Sequence, residues 1–179
     1  MRSTPEVLQS FETAVERYLA ELNLLDMNDL LRKEKEEEWS IGQMYVHLIQ
    51  SALFMHLRNI EQCLENGEHT LQSDAEKTEL GSQVFALGQF PPVRVKVPAS
   101  PQYTPLPPEN KEQLVEGLDQ VVDRMRSTAA VLVIEEAGGS KVLHPRLGAL
   151  NAQEWFRLIA MHYQHHFLQL DRLKMNLQH

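Results

Sequence analysis

One cysteine, Cys63, is all that the 179 residues contain. That count excludes an intrachain disulfide framework and a multi-cysteine zinc site. Basic residues are scarce beside acidic ones: 17 Lys and Arg stand against 25 Asp and Glu, a formal net charge of −8. A protein that tracks a phosphate backbone wants a basic face, so nucleic-acid binding is not expected. Long apolar runs are missing as well. The longest, Ala129 to Ile134, falls far short of the ~20 residues that span a bilayer. Met1-Arg2-Ser3-Thr4-Pro5 runs straight into an amphipathic pattern, without the apolar centre of a signal peptide. These absences predict a cytoplasmic protein that engages neither membrane nor nucleic acid. A phosphate-cradling Gly-rich loop, a Gly-x-Ser-x-Gly nucleophile turn and a basic–aromatic stripe are also absent.

What is present is helical periodicity. The length suits a single domain over residues 1–179, and a 42% hydrophobic content is enough for a packed core. Leu8, Phe11, Val15, Tyr18, Leu22 and Leu25 recur at spacings of three and four, which places them on one helix face. Thr4-Pro5 opens this helix, Thr as cap and Pro at the first turn. After a charged connector from Arg32 to Glu38, Ser40 and Gln43 form a capping-box signature. The second helix runs through Met44, His47, Leu48, Ser51, Ala52 and Met55 to Asn66-Gly67, where Gly offers a stop. A polar stretch follows, with a turn or two of helix around Leu80 to Leu87.

From Phe90 to Pro108 there are seven prolines, which fix φ and remove donors, so no helix crosses this segment. Val93-Arg94-Val95-Lys96-Val97 alternates within it and reads as a short edge strand or an extended wrap. A third helix is predicted from Glu109 to Glu135 along Leu114, Leu118, Val121, Met125 and Leu132, ending at Gly138-Gly139. His144-Pro145 marks a turn. Asn151 and Glu154 cap the last helix, whose stripe is Trp155, Leu158, Ile159, His162, His166, Leu170, Leu173 and Leu177. The expectation is an all-α four-helix bundle with a long Pro-rich crossover between its second and third helices.

Histidines interrupt the apolar stripes. His162 and His166 differ by ~40° on a helix and project ~6 Å apart from the inward face. His47 lies on the inward side of its own helix, three residues after Met44 and four before Ser51. Three neutral imidazoles converging in a bundle suit a divalent ion such as zinc or nickel, with a position left open for water or substrate. The other reading is three core histidines with hydrogen-bond partners. His165 competes with His166 for the ligand role, but His166 continues the stripe. His56, nine residues after His47, faces the opposite way on an ideal helix, and Cys63 lies ~160° around from His47. His69 and His179 read as solvated. Gln43 and Gln169 are candidate orienting residues or boundary residues. The run His162-Tyr163-Gln164-His165-His166 lacks the glutamate with which an HExxH protease activates water.

Several of these stretches together resemble the DinB-like (YfiT-like) four-helix bundles. They are Trp39-Ser40-Ile41-Gly42, His47-Leu48-Ile49, the Pro-rich middle, and His144-Pro145-Arg146-Leu147-Gly148 with Asn151 and Trp155. The run from His162 through Gln169 to Leu170 completes the set, and the resemblance spans nearly the whole chain in order. It implies a divalent metal ion, nickel or zinc, held by three histidines that map onto His47, His162 and His166. Some such proteins are thiol transferases that join bacillithiol, mycothiol or glutathione-type thiols to electrophiles, or isomerise maleylpyruvate with thiol help. Others are described only as metal-dependent hydrolases. The implied function is therefore a metal-dependent thiol S-transferase using a low-molecular-weight thiol on a small-molecule substrate. A hydrolase and a non-enzymatic metal-binding or stress-response module are the alternatives. A homodimer through an outer apolar face is compatible with each.

Overall fold

In the computed structural model, residues 2–66, 70–72, 74–92, 104–134 and 139–178 are described. They form α1 (Thr4–Leu24), α2 (Met27–Leu31), α3 (Ile41–Ser51), a π-helical turn (Ala52–His56), α4 (Leu57–Glu65) and α5 (Glu79–Leu87). These are followed by α6 (Lys111–Ile134), β1 (Lys141–His144), β2 (Gly148–Asn151), α7 (Ala152–Met175) and a 3-10 turn (Asn176–Gln178). The fold is predominantly helical, as expected, with one small sheet. The expected stop at Gly67, His69, the alternating run 93–97, Gly138 and His179 lie outside the described residues.

Helix ends follow local chemistry. Ser3, not Thr4, precedes α1, and its backbone N–H and Oγ both donate to the Glu6 carboxylate. The Ser40–Gln43 and Asn151–Glu154 boxes form as the sequence predicts, each side chain bonding the other residue's backbone N–H. Asn110 Oδ1 accepts from Gln113 N, so α6 begins at Lys111 and not at Glu109. At the end of α4 the left-handed residue is Asn66 itself (φ 52°), one position earlier than the expected glycine stop.

α1 packs on α6 and α7, α3 packs on the same two helices, and α4 lies against α7. Phe11, Tyr18, Met44, Leu48, Leu114, Leu118, Val121, Trp155, Ile159 and Leu170 are among the buried side chains of the shared core. Burying each large apolar side chain contributes ~1.5–3 kcal/mol, so this core dominates the stability of the helical assembly. Two buried tyrosines add polar ties between helices. Tyr18 Oη donates to the Tyr163 carbonyl at 2.7 Å, and Tyr45 Oη donates to the Tyr18 carbonyl at 2.8 Å.

Two features were not legible as helix. The turn at His144-Pro145 joins an antiparallel hairpin in which Lys141 pairs with Asn151 and His144 with Gly148. Residues 71–72 and 74–78 dock on it, with bridges Leu71–Lys141 and Lys77–Gly148. Gly148 (φ +83°) permits that approach, because a Cβ there would lie 2.5 Å from Thr78 N. The second feature is the π turn between α3 and α4, which adds a residue to the helix without a full advance along its axis.

Candidate metal centre

α3 carries His47, and α7 carries His162 and His166 on successive turns. The packing of α3 on α7 closes the gap between them. His47 Nε2 lies 3.2 Å from His162 Nε2, and His166 Nε2 lies 3.0 Å from the same atom. One nitrogen from each residue falls within 4.8 Å of the other two, and no carboxylate or thiol among the described residues joins the group. In a tetrahedral zinc site, bonds of ~2.0–2.1 Å place ligand atoms ~3.3 Å apart, close to the two spacings that His162 makes here.

The outer nitrogens set which way the lone pairs point. His166 Nδ1 donates to Gln169 Oε1 at 2.8 Å, which leaves its Nε2 as a bare acceptor facing His162. His47 Nδ1 bonds Ser51 Oγ at 3.3 Å, one turn along α3. Such bonds to the far nitrogen fix ring orientation and tautomer in histidine metal sites. Trp39 lies against the His47 ring, with centroids 4.9 Å apart.

Burial keeps the imidazoles neutral. Loss of solvation pushes His47 down to about 4 and His166 to about 3 from an ordinary 6.5. His162 is held well below 6.5, by burial first and then by the neighbouring histidines. Neutral imidazole is the form that ligates a metal, so the donor set fits a divalent ion.

The remaining candidates separate clearly. His165 belongs to no such cluster; its ring sits 5.4 Å from Phe90, so His166 and not His165 completes the group. Gln169 holds His166 as an orienting residue would. Gln43 does not face the cluster in that way: its Oε1 accepts from Ser40 N, and its Nε2 donates to the Pro105 carbonyl at 2.6 Å. Its role is to cap α3 and tether the chain that enters α6. Cys63 is buried, donates to the Leu150 carbonyl, and is pushed up to about 11 by burial, which leaves it inert as a thiolate. His144 Nδ1 accepts from the backbone N–H groups of Arg146 and Leu147, a turn-forming role.

His56 departs from expectation. It is 5% exposed, and its ring centroid lies 5.4 Å from that of His162. An ideal helix would set it ~180° from His47, but the extra residue of the π turn removes ~100° of that rotation. Ser51 was visible only as another residue of the inward face; its spacing of four from His47 was the available signal.

No curated protein and no solved structure matches the chain. The family model described as the DinB superfamily matches residues 10–170, which include both helices that carry the histidines, and the chain belongs to that superfamily.

Proposed function

We propose that the protein is a metal-dependent thiol S-transferase in which His47, His162 and His166 hold a divalent ion, nickel or zinc. The observation that carries this reading is the convergence of three neutral imidazole nitrogens without a carboxylate among them. A bound divalent ion supplies a Lewis acid that favours the thiolate form of a low-molecular-weight thiol at neutral pH. The chain's own residues do the rest. Ser51 and Gln169 fix the rings of His47 and His166, and burial withholds protons from both. Attack of a thiolate on a small electrophile forms the carbon–sulfur bond and expels the leaving group with its electron pair. The thiol's proton passes to solvent, so no protein base is required once the thiolate is formed.

Hydrolysis is the second reading, since the same ligand set suits water activation. It is disfavoured because a hydrolytic site wants a proton acceptor, and no carboxylate among the described residues joins the cluster. A non-enzymatic metal-binding module is the third.

Elemental analysis of untagged protein beside His162→Ala tests the metal. Near-stoichiometric nickel or zinc, lost in the variant, is the expected result. The loaded protein is then assayed for conjugation of a chromogenic aryl halide with glutathione, bacillithiol and mycothiol. Failure with every thiol rejects the transferase, and metal-dependent ester cleavage in its place selects the hydrolase.

A further inference from the structure

Three buried polar atoms beneath the histidine cluster have no hydrogen-bond partner: His162 Nδ1, His56 Nδ1 and Trp155 Nε1. They are neighbours. The His56 ring lies 5.4 Å from that of His162, nearly perpendicular to it, and 5.8 Å from that of Trp155. Orphaned buried nitrogens are rare, because a buried donor or acceptor left unpaired loses its hydration with nothing in return. Three in one contact group mark a common unmet requirement.

The chemistry of the three atoms is complementary. Trp155 Nε1 is a donor only. With its Nε2 turned to the metal centre, His162 carries its proton on Nδ1 and is also a donor. His56 Nδ1 is then the available acceptor. A water molecule accepts two hydrogen bonds and donates to an acceptor, so it matches two donors and one lone pair, and buried waters characteristically make about three such bonds. We propose that His56 is the positioning residue of His162, receiving the Nδ1 proton's hydrogen bond through a buried water that Trp155 also holds. This inference rests on the metal-centre reading above. It makes the set of supports symmetrical: Ser51 for His47, Gln169 for His166, and His56 for His162, the last delivered by the π turn.

The test is metal affinity, measured by competition with a chromophoric chelator for zinc, in the wild type, His56→Phe and His56→Gln. His56→Phe keeps a ring and removes the nitrogens; His56→Gln restores an acceptor. Loss of such an outer partner weakens binding ~10–100-fold. The expected result is a loss of that size in the phenylalanine variant and recovery to within ~3-fold of wild type in the glutamine variant. If wild type binds zinc and His56→Phe binds it equally well, the positioning role is overturned and the metal centre stands. If wild type binds no metal, the metal centre itself is rejected. Ring nitrogen-15 spectra of zinc-loaded wild type give a second readout that needs no variant to fold. His162 protonated on Nδ1 with an unprotonated His56 Nδ1 is expected, and a proton on His56 Nδ1 overturns the inference.

Discussion

His47 and His162 are 115 positions apart in sequence, yet their Nε2 atoms lie 3.2 Å from each other. Two nitrogens so close, both desolvated, repel if both carry protons or both bare lone pairs, so either one proton or one cation belongs between them. The properties of the protein with and without metal should follow from that juxtaposition.

Removing the central candidate ligand is the first expectation. His162→Ala should abolish stoichiometric metal and also the stabilisation that metal confers. At a free ion concentration 100 times Kd, that stabilisation is ~2.7 kcal/mol, and a domain of this size gains ~2–4 °C in Tm per kcal/mol. Thermal unfolding with and without added zinc should therefore show a shift in wild type and none in the variant.

Acid should weaken the metal-free fold through the same histidines. His47 at about 4, and His56 and His166 at about 3, lie below the ordinary 6.5 because burial disfavours their charged forms. The unfolded chain therefore binds more protons than the folded one as pH falls through 6.5. The stabilising contribution is complete above 6.5 and is lost progressively down toward pH 3–4. Each such histidine adds up to ~1.4 kcal/mol per pH unit to the slope within that window. Urea unfolding at a series of pH values should give this rise toward neutrality, and a flat profile between 4 and 6.5 would contradict it.

Gln169→Leu separates orientation from ligation. The substitution removes the acceptor for His166 Nδ1 while leaving all three candidate ligands in place. Zinc affinity should fall ~10–100-fold with unfolding temperature of the metal-free protein nearly unchanged. Chelator competition beside circular dichroism distinguishes this from a folding defect.

The glycines of the hairpin junction should be intolerant. A Cβ at Gly81 would stand 2.1 Å from the Leu147 carbonyl oxygen, so Gly81→Ala forces backbone apart and should cost ~2–3 kcal/mol. Gly88, unlike Gly81, has positive φ, but a Cβ there meets nothing within 4 Å. Gly88→Ala should cost only the left-handed strain, ~1 kcal/mol. Equal destabilisation of the two variants in urea would refute the steric argument.

Much of this arrangement was readable in the chain because it depends on local periodicity. Leu114, Leu118, Val121 and Met125 predict their buried face directly, and Ser40–Gln43 and Asn151–Glu154 mark two helix starts correctly. His162 and His166 came together from their spacing alone; His47 joined them only through the packing of α3 on α7. The hairpin escaped notice because strands of four residues, Lys141–His144 and Gly148–Asn151, are too short for alternation to declare itself. His56 was misplaced for a different reason. The π turn's phase shift is enforced by packing on both sides of Ala52–His56 and leaves no signature in residue type. Gln43 has two hydrogen-bonding ends, and sequence alone does not show that both are already engaged.

The π turn also sets a counting rule for the polypeptide. α3 aims His47 at α7, whereas α4 presents Leu57, Ile60 and Cys63 to the interior, and the two phases agree because the five residues between them are wound as a π turn. Wound as an unbroken α-helix, the same five residues would rotate everything beyond them by ~100°. Ile60 and Cys63 would swing outward while polar Asn59 and Gln62 turned in. Deleting one residue from Ala52–His56 removes the bulge and keeps both faces in phase. A gene shortened by one codon at this point would thus encode a straighter helix over the same core, just as a deletion in the charged connector at 33–37, all exposed, disturbs no buried face.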